Sequence, residues 1–294
     1  ANQIVAGDGN DTLVGAGGAD VLYGGRGDDT IVINASNIAA LSQSGTSQAI
    51  ARIDGGSGTD TLQITASLDL TTVAPAAIQS IERINMSASG TSLTMGLLDV
   101  LGLSEKNNPF NTATGWTATS TGGAAGWGTV NVGAQVVVDG TASNDLYLSG
   151  SWQSIGTVQN TVGGVTKTYK VLSDLTNAEA QVIVDGNVHV HMAPTVISTA
   201  NELAGSLNLT EANSTGGTPV RISLANTDAA AGNTIQLNWG GQLITVPLSA
   251  TDIANGYVDM PVTTAQLLAV TPVGNSANVN AVVSLMSVAM LVSF

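Results

Sequence analysis

Residues 6–32 read AGDGNDTLV, GAGGADVLY and GGRGDDTIV, three nonapeptides back to back, and a fourth, GGSGTDTLQ, starts at Gly55. Each fits G-G-x-G-x-D-x-U-x, with U a large apolar residue. The third and fourth fit at every fixed position. The first has Ala6 in place of its first glycine, and the second has Ala16 in place of its second, with Gly17 beside it. Self-similarity at a fixed short period marks a solenoid, and this period and pattern predict a parallel β-roll over residues 1–65.

The chemistry asks for these residue types. The G-G-x-G-x-D half must turn sharply with its carbonyls aimed at one spot, and glycine reaches the positive-φ conformations that requires. Oxygens so gathered suit Ca²⁺, a hard cation that takes about 6–8 of them. The sequence therefore nominates a metal-binding set of Gly7, Asp8, Gly9, Asp11, Gly18, Asp20, Gly25, Gly27, Asp29, Gly56, Gly58 and Asp60. The D-x-U-x half is a short strand whose side chains alternate faces, which sends Leu13, Leu22, Ile31 and Leu62 into a thin shared core. Like loops stack every second repeat, so the loop at 6–11 is expected under that at 24–29. The loop at 15–20 faces the other side, and the loop at 55–60 is the candidate to pair with it across the interruption at 33–54. An ordinary cluster of Gly/Asp turns is the competing explanation, and three copies in register plus a fourth argue against it.

This run resembles the RTX (repeats-in-toxin) family, proteins exported by type I secretion in Gram-negative bacteria. The resemblance covers residues 6–63. It implies calcium-dependent folding outside the cell but leaves the activity open, because such arrays occur in toxins, proteases, lipases, adhesins and S-layer proteins.

Composition agrees with a metal-loaded exterior protein. Acidic residues outnumber basic ones 21 to 7, a net charge of −14, which disfavours nucleic-acid binding. Seven of the Asp lie in the first 60 residues. Cysteine is absent, so metal is the available substitute for disulfides. The apolar content of 43% argues against disorder. No run reaches the ~18 apolar residues of a membrane helix, and no signal peptide is evident. The first repeat begins almost at residue 1, which predicts a processed chain or a piece of a longer one, with an open repeat edge met by further repeats or by other copies of the chain.

Beyond the repeats, NASNIAALSQS (34–44) predicts a short helix capped near Ser36. IERINM (81–86) reads as a strand, and SLTMGLLDVLGLS (92–104) as a strand and then a helix ending near Gly102. Residues 106–128 read as a long loop or a loosely wound rung. QVVVDG at 135–140 recurs as QVIVDG at 181–186, which predicts further solenoid-like rungs over 66–193. Strands are also expected at Leu146–Leu148 and over KTYKVL (167–172). The phrase Ser80–Ser104, followed by Val138–Gly140, Gly150–Gln153, Gly163–Tyr169 and Val184–Gly186, resembles a segment of large type I-secreted adhesins, with 107–130 as an insertion. After Pro194, VRISL, TIQLNW, QLITVPL, YVDMPV and AVVSLMSVAMLVSF are short alternating strands, with Gly240–Gly241 as a tight hairpin turn. They predict an Ig-like β-sandwich over 194–294, and residues 233–258 resemble the tandem repeats of giant bacterial adhesins. The expected architecture is all-β throughout.

Weaker candidates carry plain alternatives. His189 and His191 face one side of a strand and could begin a zinc site, or form a surface pair. Asp139 and Asp185 could take Ca²⁺, but turn formation is the simpler role. Glu211 resembles a junction calcium ligand of Ig-like adhesin repeats, or sits in a solvated loop. Trp116, Trp127, Trp152 and Trp239 suit core packing better than a sugar platform. No G-x-S-x-G, H-E-x-x-H, cysteine nucleophile or phosphate loop is present. The expectation is a non-enzymatic structural protein, a calcium-stabilised bacterial surface adhesin or fibre component with an unidentified surface ligand as a possible partner. An S-layer lattice protein or the RTX portion of a secreted hydrolase or toxin is the alternative.

Overall fold

The computed structural model describes residues 1–42, 51–74, 76–104, 108–119, 133–162, 164–199, 218–239, 242–263, 265–266 and 282–286. The chain forms two compact units, Ala1–His191 and Met192–Phe294. Strands dominate both, and among the described residues no helix is long and apolar enough to cross a membrane.

In the first unit the chain winds from sheet to sheet. One sheet stacks Gln3–Asp8, Val21–Arg26, Arg52–Ser57 and Ile78–Gln79 in parallel. A second runs in parallel through Thr12–Val14, Thr30–Ile33, Thr61–Ile64, Arg83–Met86, Ala134–Asp139 and Ala180–Asp185. A third follows the order Leu68–Asp69, Ser92–Gly96, Asp145–Ser149, His189–Met192. The apolar U positions make one continuous column. Leu13, Ile31, Leu62, Ile84, Val138 and Val184 lie in register, none more than 3% exposed. The two VDG segments are direct neighbours, Gln135 opposite Gln181 and Val138 opposite Val184.

Three expectations change. First, the loop at 55–60 stacks on the loop at 24–29, with Gly25 opposite Gly56, and not on the loop at 15–20. The excursion at 33–54 leaves after Ile33, passes through helix α1 (Ala35–Ser42) and re-enters at Arg52. It replaces one turn on the 15–20 side, and the next repeat rejoins in phase. Second, Asn34, not Ser36, caps that helix, its side chain accepting from the N–H groups of Ser36 and Asn37 at 2.9 and 3.3 Å. Third, residues 66–193 are not rungs throughout. Trp152–Val162 and Val165–Asp174 form a long antiparallel hairpin, Val162 opposite Val165, which continues the second sheet beyond Ala180–Asp185. A Gly-Gly pair between two alternating strands favours this tight reversal.

The helix expected after Ser92 is α2 (Leu97–Leu103). The described part of 106–128 holds one 3₁₀ turn, Thr112–Thr114, and the strand Trp116–Ala118. Trp116 and Trp152 are buried, whereas Trp127 lies outside the described residues.

In the second unit Thr195–Thr199, Thr218–Ser223 and Tyr257–Val262 form one antiparallel sheet. Gln242–Pro247, Thr234–Trp239 and Val282–Met286 form another. Both sheets contribute to one apolar core that includes Val220, Ile222, Ile235, Leu237, Val258 and Met260. Trp239 pairs with Gln242, and the expected Gly240–Gly241 turn itself lies outside the described residues. A short helix, α3 (Ala250–Asn255), is closed at its start by reciprocal hydrogen bonds between Ser249 and Asp252.

Candidate metal centre

The stacked loops at 6–11, 24–29 and 55–60 repeat one backbone shape. Gly7, Gly25 and Gly56 have φ of +116°, +121° and +100°, and Gly9, Gly27 and Gly58 have +119°, +118° and +142°. Only glycine takes such angles freely, and the stack is close as well. A methyl group at Gly25 would overlap the Gly7 carbonyl, and one at Gly56 the Gly25 carbonyl. The loop at 15–20 differs, with positive φ at Ala16, Gly17 and Gly18.

Each loop ends in an aspartate, and these aspartates form a ladder. The Asp11 N–H donates to Asp29 Oδ1 at 2.8 Å, and the Asp29 N–H to Asp60 Oδ1 at 2.8 Å. The Asp60 N–H donates to Glu82 Oε2 at 3.0 Å. One oxygen of Asp29 and one of Asp60 are thereby used, whereas Asp11 joins the ladder through its N–H alone. The Oδ2 atoms of Asp11, Asp29 and Asp60 are buried without a hydrogen-bond partner. Asp29 is 1% exposed and Asp60 0%. Burial pushes Asp60 up to about 7, the Asp29 N–H opposing it and the negative charges of Glu82, Asp29 and Asp28 adding to it. Buried carboxylates without partners are costly unless a cation sits with them.

The residues present therefore fit a hard cation. Asp11, Asp29 and Asp60 would supply the carboxylate oxygens. Among the described residues no three His, Cys, Asp or Glu side chains converge on one point, so the glycine-rich backbone must supply most of the remaining oxygens. The bound ion would offset the carboxylate charge and tie one loop to the next. An outer ladder runs alongside: Asn10 Oδ1 accepts from the Asp28 N–H at 2.9 Å, and Asp28 Oδ1 from the Thr59 N–H at 2.8 Å. The repeat pattern leaves these positions unspecified and gave no signal for it.

Two nominated aspartates stand apart from this column. Asp8 points outward, 4.0 Å from Arg26 with both side chains 80% exposed, a surface pair worth little. Its position in the repeat is a free one on the outside of the turn. Asp20 lies on the opposite side, where the excursion has removed the next loop. Its Oδ1 accepts from the Asn2 N–H at 2.7 Å and its Oδ2 from the Asn37 side-chain amide at 2.9 Å. Asn37 also donates to the Gly18 carbonyl at 3.1 Å. The amide of α1 thus occupies the oxygens of Gly18 and Asp20 that the sequence assigned to metal. The space beside them is about 10 Å³, no more than one water needs.

The remaining candidates have protein partners. Asp139 meets Arg83 at 2.9 Å and Lys167 at 3.4 Å and accepts from the Tyr169 hydroxyl at 2.8 Å; burial and that carboxylate raise the Tyr169 hydroxyl above the usual range. Asp185 meets Lys167 at 2.8 Å and accepts from the Asn187 N–H at 3.0 Å, a turn-forming contact. His189 and His191 share Asp145, at 3.6 and 2.9 Å, and His191 stacks on Tyr147. Asp145 is the carboxylate that the sequence did not connect to the histidine pair. Glu211 lies outside the described residues.

Residues 1–31 match the family model of the RTX calcium-binding nonapeptide repeat (four copies). No curated protein and no solved structure matches the chain. Repeats of this family bind calcium, and they occur in proteins that leave the cell by type I secretion. Residues 1–31 are thus an RTX-type calcium-binding repeat.

Proposed function

We propose that the chain is part of a non-enzymatic extracellular structural protein, a calcium-stabilised cell-surface adhesin or fibre component. The observation that carries the reading is the column of buried, unpartnered carboxylate oxygens at Asp11, Asp29 and Asp60. It makes the fold of this end conditional on a cation, a condition suited to extracellular modules that work at roughly 10⁻⁴–10⁻³ M calcium. The absence of cysteine points the same way.

The rest of the chain is read as scaffold. Parallel strands from Arg83 to Asp185 support solenoid-like rungs, with the antiparallel hairpin at their far end. Two antiparallel sheets around one core support an Ig-like sandwich in the second unit, and both segments resemble parts of giant adhesins. Gln3–Asp8 and Thr12–Val14 are edge strands of their sheets. Edges of this kind take another strand, from further repeats of a longer polypeptide or from a second copy.

The test is circular dichroism, thermal melting and light scattering of the full chain in millimolar Ca²⁺ and in EDTA. The reading expects a large loss of stability in EDTA and association only in Ca²⁺. Identical melting in both conditions contradicts it. Flat two-dimensional arrays in negative stain, in place of fibres, favour a lattice protein of the S-layer kind.

A further inference from the structure

We propose that the calcium column has one more position than the nonapeptides encode, between the loop at 55–60 and the short turn Ser80–Glu82. Asp60, Glu82 and the Ser80 carbonyl are its protein ligands. The proposal rests on calcium binding by the repeats and not on the adhesin reading.

The segment at 80–82 does not look like a repeat, yet it stands where the next loop would stand. Asp54 pairs with Gln79 and Thr61 with Arg83, so Ser80 falls above Gly55 and Glu82 above Asp60. The backbone equivalence is close. A methyl group at Gly24 would meet the Gly55 carbonyl and the Asp29 carboxylate, and one at Gly55 would meet the Ser80 carbonyl and the Asp60 side chain. Ser80 stands to its lower neighbour as Gly55 does to its own. Ser80 also adopts φ of +53°, an uncommon angle for a residue with a side chain. The carboxylate ladder continues unbroken, from Asp29 and Asp60 to Glu82, which accepts the Asp60 N–H at 3.0 Å.

The sequence hides the equivalence because the turn is short. Four residues lie between Gly55 and Asp60, and one lies between Ser80 and Glu82. The backbone nevertheless rejoins in register, the Arg83 N–H donating to the Asp60 carbonyl at 3.0 Å as the Thr61 N–H does to that of Asp29 at 2.8 Å. What points to an ion is Asp60, 0% exposed, with Oδ2 unpartnered beside a Glu82 that is itself 1% exposed. The column ends here, because the pairing of Arg83 with Val137 and of Val137 with Ile183 puts Val136 and then Val182 at the next two positions.

The test is calorimetric titration of the metal-stripped full chain with CaCl₂, comparing wild type, E82Q and D252N. The ladder has three gaps, Asp11–Asp29, Asp29–Asp60 and Asp60–Glu82. Wild type should bind one ion in each. E82Q keeps an acceptor for the Asp60 N–H and should lose one ion, or bind it at least about ten-fold more weakly, with the others unchanged. D252N, altered at the start of α3, should match wild type. Unchanged stoichiometry and affinities in E82Q overturn the proposal. Should E82Q fail to fold, the wild-type count decides: three ions support the proposal and two overturn it. Wild type that binds no calcium overturns the calcium reading of the whole column as well.

Discussion

One stack of strands is held in two ways along its length. Beside the shared apolar column, the successive residues at one position are Asp11, Asp29, Asp60 and Glu82, and then Val136 and Val182. The backbone register is continuous across the change. Below it, Asp11, Asp29 and Asp60 each keep a buried, unpartnered oxygen, which is costly unless a cation sits with it. Above it, both valines are fully buried, each contributing about 1.5–3 kcal/mol by leaving water. A parallel stack can thus be conditional at one end and self-sufficient at the other, with the chemistry of one position setting the difference.

Removing Asp29 should separate the two ends most sharply, because its carboxylate borders two gaps. At calcium a hundred-fold above the dissociation constant, each ion stabilises by about 2.7 kcal/mol. D29A should therefore lose about 5 kcal/mol of calcium-dependent stability, read as the difference between urea midpoints in Ca²⁺ and in EDTA. The Asp60–Glu82 gap should keep the remaining increment of about 2.7 kcal/mol, and an increment as large as that of wild type contradicts the assignment.

The conditional end should also respond to pH when calcium is absent. Asp60 is raised from 3.8 to about 7 in the folded chain, so the folded state holds more protons than the unfolded one between those values. The stability this contributes is present in full below about pH 4 and is lost as pH rises through about 7. Melting of the amino-terminal repeats in calcium-free buffer should fall over that window, and D60N should flatten the trend. A wild-type profile already flat from pH 4 to 8 tells against a buried, ionisable Asp60.

At the self-sufficient end, V182A should cost about 2 kcal/mol from lost burial and the cavity left behind, equally in Ca²⁺ and in EDTA. A calcium-dependent cost would mean that the two ends are not distinct. The smallest effect is expected at Asn37, whose amide closes the 15–20 side. N37A leaves an Asp20 oxygen without its donor and should cost about 1 kcal/mol in either condition. A larger cost in EDTA than in calcium would mean that an ion also serves that side.

The conditional end was legible wherever the repeat dictates it. The positive-φ glycines, the aspartates of the ladder and the inward Leu13, Leu22, Ile31 and Leu62 all follow from the nonapeptide. The VDG echo correctly foretold two stacked copies. What escaped depended on contacts between distant residues. Asn37 reaches Asp20 only because the excursion folds back on that side, and this also moved the loop at 55–60 onto a different partner. Glu82 was hidden by a turn three residues shorter than the repeat. The hairpin at Val162–Val165 had a signal in the sequence, its Gly163–Gly164 pair. His189 and His191 gained Asp145 through a neighbouring strand 46 residues away.

Amide hydrogen exchange, resolved by peptide, tests the two-ended account most directly when the same chain is followed in millimolar Ca²⁺ and after transfer to EDTA. Protection at Val21–Arg26, Thr30–Ile33, Arg52–Ser57 and Thr61–Ile64 should collapse on chelation, while Ala134–Asp139 and Ala180–Asp185 keep theirs. Uniform loss across all six strands, or no loss in any, would contradict a stack that is metal-dependent at one end only.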